Sequence, residues 1–403
     1  VRFLSLATVF AALSGFAIII LAPRILSEAL TVQFMALWGL FFACTGIIDG
    51  LTQETTRAIS AAEESGRVGN ARPIRFAVAV GLVMALAIIA SSPLWMPHLV
   101  DTHHATATVL LACGLGLYAC QALLSGVLSG LKLWSEYAGL LALDSGIRIL
   151  LLIPAWLLGW GLPAFILITV IGALSWCFIL AASPRARQAL NKPTDVSART
   201  FRSNALQAML ATGATAVLIT GFPTIMKALL SDAPTNGVTM GGLVMAVTLT
   251  RAPILVPLQR FQSALIVFFV EHRGQILSAL AKPICGVFAV GGVGAVAAWL
   301  LGPTIMRLVF PPEFVVPGPH LAVLTFASAC AGALMITSTA AVAAELHRLY
   351  ILGWVVASIV AIGVVLLPLG LVPAVCIALF LGPTAGILVQ VLGLLSARTG
   401  EDA

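Results

Sequence analysis

Twelve apolar runs, each about 20 residues long, the length a helix needs to cross a bilayer's hydrocarbon core, follow one another along this chain. They cover 3–21, 31–51, 74–95, 107–131, 138–158, 161–182, 205–226, 238–258, 284–302, 319–341, 349–369 and 373–396. Lipid offers backbone groups no hydrogen-bond partner, which leaves helices and closed barrels as the spanning structures. Barrel strands need short alternating segments, and these runs are continuous. The pattern predicts an all-α integral membrane protein with about twelve transmembrane helices. Residues 3–21 form a run too long for the core of a signal peptide, and no small-residue cleavage pattern follows it. They are read as a retained first helix.

Composition agrees. Of 403 residues, 60% are hydrophobic and 9% charged, with a mean hydropathy of +1.09. A soluble domain carries roughly 25% charge, so a soluble enzyme, a disordered scaffold and a disulfide-stapled module are excluded. The net charge of +6 does not point to nucleic acid, because Lys and Arg sit between the runs, Arg148 and Arg251 within spans excepted. With the N-terminus inside, the inner segments hold Arg2, Arg57, Arg67, Arg72, Arg75, Lys132, Arg185, Arg187, Lys192, Arg199, Arg202, Arg260, Arg273, Lys282, Arg348 and Arg398. The outer ones hold Arg24, Lys227 and Arg307. That asymmetry places both termini in the cytoplasm. The seven cysteines are scattered without metal-binding spacing and read as small core hydrophobes.

The basic stretch 183–204, SPRARQALNKPTDVSARTFRSN, falls after the sixth run and reads as a cytoplasmic linker between two pseudo-symmetric six-helix lobes, 1–182 and 205–403. A weak internal repeat aligns the segments starting at Met35 and Met245, and those around Pro23 and Pro223. A two-lobe repeat is a recurring transporter design, with the site near the midplane. The amphipathic segment 259–283 after the eighth run is expected along the inner leaflet, with 53–72 in the corresponding place after the second. The proline-rich segment 303–320 is expected to cap the outer side.

Charges inside the runs are the candidate functional groups, because an ionisable side chain in lipid costs about 2.5–3.5 kcal/mol on insertion scales and needs a partner or a wet cavity. In the eighth run Thr248, Arg251, Gln259 and Gln262 fall on one helical arc. Arg251 either faces a central aqueous cavity and binds an anion, for which its planar fork suits phosphate, or locks the bundle as an interhelical pair. In the second run Thr45, Asp49, Thr52 and Thr56 share an arc, and Gln53, Glu54 and Arg57 continue it; Glu54, Arg57 and Arg260 mark an inner rim or gate. Asp49 is either a proton or sodium site or the partner of Arg251 or Arg57. In the fifth run Asp144 and Arg148 are spaced to pair along one helix; if the pair opens to a cavity, Arg148 becomes a second phosphate ligand. His98, Asp101, His103 and His104 read as a solvated loop in preference to a zinc site. Glycines at Gly114, Gly126, Gly130 and Gly292 read as close-packing positions between helices. No Walker, zincin or nucleophile-elbow motif occurs, so no cofactor is expected beyond H+ or Na+ as a coupling ion.

Three stretches carry a family resemblance: APRILSEALTVQFMALWGLFF (22–42), GIIDGLTQETTRA (46–58) and LTRAPILVPLQRFQSAL (249–265). With them the chain resembles Wzx-type polysaccharide flippases of the multidrug/oligosaccharidyl-lipid/polysaccharide (MOP) superfamily. The resemblance implies a V-shaped pair of six-helix lobes whose cavity opens alternately to each side. It implies passage of a polyprenyl-linked glycan from the inner to the outer leaflet of a bacterial plasma membrane, for cell-envelope polysaccharide synthesis. Arg251 and Asp49 match cavity-lining positions, and Arg24 a position near the outer gate. Partners on this reading are the bilayer, the lipid-linked glycan, and a polysaccharide polymerase or glycosyltransferases. The competing readings are a cation-coupled multidrug exporter of the same superfamily and a membrane-embedded glycan polymerase or glycosyltransferase. The third is disfavoured because that chemistry needs carboxylates on a long outer loop, and the outer stretches 96–106 and 303–318 offer only Asp101 and Glu313.

Overall fold

The computed structural model describes residues 2–66, 68–230, 237–272, 275–344 and 346–401, the side chains at 2, 260, 263, 264, 267 and 398–401 excepted. Among the described residues the chain is helical, with no sheet. Eleven helices are long and apolar enough to cross a membrane, or twelve if one bent pair counts as a single span. The chain is a multi-pass membrane protein. By packing it divides into two compact units, Val1–Thr224 and Ile225–Ala403.

The first unit holds α1 (Arg2–Ile25), α2 (Glu28–Ser65), α3 (Pro73–Leu99), α4 (His104–Gly130), α5 (Trp134–Leu157), α6 (Leu162–Ile171), α7 (Ser175–Ala182), α8 (Pro184–Ala189) and α9 (Ala198–Ile219). A single 3-10 turn, Gly172–Leu174, separates α6 from α7. The central element is α2, which packs on α4 and α9; α3 packs on α4, and α1 lies along α5. Ser27 starts α2 by accepting the Leu30 amide, and Gly66 ends it in the left-handed region at φ 66°. No proline interrupts the 38 residues between. The helix is therefore ~57 Å long, nearly twice the ~30 Å hydrocarbon core.

That length corrects one expectation. Segment 53–72 is not a separate in-plane helix: through Ser65 it is the continuation of α2. The same holds in the second unit, where α11 (Met240–Glu271) runs unbroken through Pro253 and Pro257. Polarity changes while each helix goes on, and in α11 Pro253 and Pro257 withdraw two backbone donors without ending it. The predicted span 205–226 departs in the other direction. It breaks at Thr220–Gly221, and α9 and α10 (Phe222–Leu229) meet at 58°. On both sides of the break the chain stays docked on α2: Gly39 closes on the Thr220 carbonyl, and the Thr224 hydroxyl donates to Ala36 O over 2.6 Å. Packing thus places α9 with the first unit, and the division falls inside α10.

Gly126 and Gly130 are close-packing positions as expected; a β-carbon there would lie 2.8 Å from Thr52 O and 3.0 Å from Thr56 O of α2. Gly114 likewise abuts Val170. Gly292 does not: it faces open space, and its neighbour Gly291 meets Ala329 instead, one step around the helix from the motif's register.

The second unit holds α11, α12 (Ile276–Val309), α13 (Gly318–Ala343), α14 (His347–Val365) and α15 (Leu371–Glu401). The most buried is α13, packed against α11, α12 and α15, with α14 on α15. The fully buried Gln390 of α15 ties three of these helices: it donates to Ser338 Oγ of α13 over 2.8 Å and to the Tyr350 carbonyl of α14 over 3.3 Å, and accepts from Thr337 of α13. The expected cap at 303–320 is shorter than predicted. Pro303 lies inside α12, and only 310–317 is non-α-helical, held down by buried Phe314 and Val316 and by Thr239 Oγ1 donating to Glu313 O over 3.0 Å.

Candidate functional site

The i, i+4 spacing on α5 sets Asp144 and Arg148 on one face, and they form a buried ion pair of 3.0 Å. Arg148 is 7% exposed and Asp144 8%. Three other elements build the pair's surroundings. Gln121 of α4 donates to Asp144 Oδ1 over 3.2 Å. Phe42 of α2 lies under the guanidinium, 5.2 Å from its centre, a cation–π contact worth up to ~2 kcal/mol where water is excluded. Gly172 covers the pair from the turn between α6 and α7; a β-carbon there would sit 2.6 Å from Arg148 Nε and still closer to Asp144 Oδ1. Only glycine leaves the pair its room.

The other side of Arg148 faces a cavity of about 310 Å³ between α1, α2 and α5. Its walls include the small residues Ala11, Ala12, Ser14 and Gly15 of α1, the aromatic pair Trp38 and Phe42 of α2, and Ser145 beside Arg148. The two rings lie 4.7 Å apart. Arg148 gives Asp144 only its Nη2, and Nε is buried with no hydrogen-bond partner. The arrangement is an apolar, aromatic-walled chamber with one guanidinium at its edge. It can hold a ligand with an anionic group and a ring or aliphatic body.

A second carboxylate sits nearby. Asp49 of α2 accepts from Tyr118 Oη of α4 over 2.7 Å. Tyr118 and Gln121 are one turn apart, so a single face of α4 serves both Asp49 and Asp144. The sequence reading missed both donors, along with Gly172 and the aromatic wall. The only signal available was the i, i+3 spacing of Tyr118 and Gln121 inside an apolar run. Asp49 is not paired with Arg57, which corrects that alternative: the Arg57 fork goes to Glu54 through Nε (2.8 Å) and Nη2 (2.7 Å) and to Asp195 through Nη1 (3.1 Å). At a spacing of three residues Glu54 is within direct reach of that fork.

Glu54, 6% exposed, also accepts from Asn204 Nδ2 over 3.2 Å. Linker segment 194–198 is stitched to the same region. Asp195 N donates to Ala58 O over 3.2 Å, Ala71 N to Val196 O over 3.4 Å, and Ala198 N to Asn70 Oδ1 over 3.0 Å. Lys192 pairs with Glu63 at 2.9 Å. The rim residues Glu54 and Arg57 are thereby parts of a clamp that holds the linker.

The remaining candidates are not among the residues that line the chamber. Thr45 is buried, with its hydroxyl donating to Phe42 O over 3.1 Å. Arg24 is exposed in the last turn of α1. In the second unit Arg251 is buried in α11 at 9% exposure. Thr248 donates to Val244 O over 2.9 Å, and Gln259 is exposed. The side chain of Arg260 lies outside the described residues. Asp101 is held by Gln33 of α2, which donates to Oδ2 over 2.6 Å, and His104 by the Val100 carbonyl. Among the described residues no group of three His, Cys, Asp or Glu is placed to hold a metal ion.

No family model matches the sequence. The chain is 39% identical over 390 residues to the uncharacterized protein Rv1510 of Mycobacterium tuberculosis, covering 96% of this chain and 90% of that protein. It is 38% identical over 398 residues to the uncharacterized protein Mb3654 of Mycobacterium bovis, covering 98% and 91%. Among solved structures, a multidrug resistance MATE family transporter of the MOP superfamily in an inward-facing conformation superposes with a TM-score of 0.74, at 15% identity, over 98% of this chain and 96% of that one. A MOP superfamily transporter from Pyrococcus furiosus with a binding pocket of reverse polarity superposes with a TM-score of 0.66, at 15% identity, over 99% and 95%. With the MOP transporter fold along nearly its whole length, the chain belongs to the family of the uncharacterized mycobacterial proteins Rv1510 and Mb3654.

Proposed function

We propose that this protein is a membrane transporter that flips an anionic, sugar-bearing lipid, of the polyprenyl-phosphate-linked oligosaccharide class, from the inner to the outer leaflet of a bacterial plasma membrane. The observation that carries the reading is Arg148, a buried guanidinium that gives Asp144 only its Nη2, on the wall of an aromatic-lined chamber. Moving a charged, hydroxyl-rich headgroup through hydrocarbon is prohibitive without a polar route. A guanidinium and two aromatic rings match a phosphate and the apolar face of a sugar. The chamber's volume is at the low end for ligand sites, fitting a phosphate and the first sugar, with the lipid tail left in the bilayer beside α1. Arg251 supplies the corresponding charge in the second unit, and alternation of the two units about the midplane moves the headgroup. Both termini lie in the cytoplasm, following the distribution of basic residues. The transport reading assigns no catalytic residue and no cofactor, and it leaves a glycan polymerase or glycosyltransferase as the natural partner.

The second reading is a cation-coupled multidrug exporter. Asp49 of α2 and Asp144 of α5, two carboxylates held by donors on one face of α4, favour it. The two readings separate in cells. If lipid-linked glycan builds up in the inner leaflet of cells lacking the protein, and again in cells carrying Arg148→Ala or Arg251→Ala, the flippase stands. Unchanged leaflet distribution with increased drug sensitivity selects the exporter.

A further inference from the structure

Arg148 cannot serve Asp144 and an incoming anion on equal terms. The charges of the pair offset each other, which is how two ionised side chains persist so deeply buried. An anionic headgroup arriving at the guanidinium from the chamber side would make a buried cluster of one cation and two anions. The headgroup's charge is fixed, and Arg148 does not lose its proton. The carboxyl group is the member that can become neutral. Asp144 has the means to stay in place when protonated: Oδ1 is held by Gln121 and by Arg148, and the acid form gains a donor. Beside it, Gln121 Oε1 is buried with no hydrogen-bond partner, an acceptor of the kind a protonated carboxyl seeks.

We infer that Asp144 is an internal competitor for Arg148, and that an anionic phosphodiester headgroup binds in the α1–α2–α5 chamber together with one proton, taken up by Asp144. This rests on reading the chamber as a headgroup site. The groups facing the pair are few. Arg148 shares its helix. From α4 come Gln121 and Tyr118, the latter within electrostatic reach of Asp144 and Arg148, with Asp49 of α2 behind Tyr118. α6 and the turn Gly172–Leu174 carry no titratable side chain. α7 carries only the exposed Cys177, and the chamber-lining residues of α1 are apolar or serine. Among the described residues Asp49 is therefore the competing carboxylate, and it already has Tyr118 as its donor.

The test is binding of farnesyl methyl phosphate to the full-length protein in nanodiscs between pH 5 and 8. A diester keeps one fixed charge over this range, whereas a phosphate monoester titrates near pH 6. Affinity is expected to fall with rising pH, by up to tenfold per unit. Adding the probe to weakly buffered protein at acidic to neutral pH should take up close to one proton per probe bound. Asp144→Asn should bind at least as tightly as the wild type at its acidic limit, with a flat pH profile, and Asp49→Asn should keep the wild-type slope. Equal binding of dimethyl phosphate would identify the headgroup alone as the determinant; tighter binding of the farnesyl diester would add the tail. The proton link is overturned if the wild type binds the probe with no pH dependence and no proton uptake, or if Asp49→Asn removes the slope. Failure of the probe to bind the wild type at any pH would overturn the headgroup reading itself. Proton uptake is measured on the wild type and does not depend on how well Asp144→Asn folds.

Discussion

Tyr118 holds Asp49 through a 2.7 Å hydrogen bond that joins α4 to α2, and one turn along α4 Gln121 does the same for Asp144. A helix without a charge of its own at these positions thus positions both Asp49 and Asp144. Removing the phenol hydroxyl strips a half-buried carboxylate of a charge-assisted bond worth about 1.5–3 kcal/mol. Tyr118→Phe should lower thermal stability in detergent by that order. Asp49→Asn in the Tyr118→Phe background should add less than it does alone, because the two act as one unit. Additive effects would show that the bond is not formed.

Gly172 and Gly292 give an internally controlled pair. Alanine at 172 would push into Asp144 and Arg148, an overpacking of about 1–3 kcal/mol. Alanine at 292 meets open space and gains up to ~1 kcal/mol of helix propensity. Melting temperatures should fall for Gly172→Ala and hold or rise for Gly292→Ala; equal responses would contradict the packing described for the pair.

The linker clamp has a strong end and a weak end. Arg57→Ala leaves Glu54 buried with Asn204 as its remaining partner and should cost roughly 1.5–3 kcal/mol. Asp195→Ala removes only the outer half of the fork, which is near the surface, and should cost under about 1 kcal/mol. Denaturation of the purified variants would rank them; the reverse order would place the clamp's anchor on Asp195.

In the second unit, Gln390→Ala removes a fully buried amide that links α13, α14 and α15 and leaves a cavity. A loss of about 2–4 kcal/mol is expected, read as a lower melting temperature. A change within about 0.5 kcal/mol would mean that water or a neighbour fills the gap without penalty.

The spans were legible because a bilayer demands about 20 apolar residues in a row, and no other feature of a chain produces that pattern. Helix ends were less so: hydropathy falls at Gln53 and Gln259, yet the backbone continues to Ser65 and Glu271, since a loss of apolar character does not itself end a helix. The Asp144–Arg148 pair was legible from its spacing. Its setting was not, because Phe42, Gln121 and Gly172 belong to three other elements and are ordinary residues for an apolar run. The threonine arcs carried less meaning than their periodicity suggested. Thr45, Thr56 and Thr248 each donate to a carbonyl of their own helix, which is how an isolated hydroxyl is satisfied where water is scarce.

The central claim is that Arg148 receives an anionic headgroup on its way across the membrane. The most direct measurement is the rate at which a fluorescent prenyl phosphodiester glycan, loaded in one leaflet of proteoliposomes, becomes accessible to a membrane-impermeant quencher in the other. Wild-type protein should accelerate that transfer well above protein-free vesicles, and Arg148→Gln should reduce it at least tenfold while the protein remains folded in the same vesicles. Transfer by Arg148→Gln at the wild-type rate, or no transfer by wild-type protein, would contradict the account.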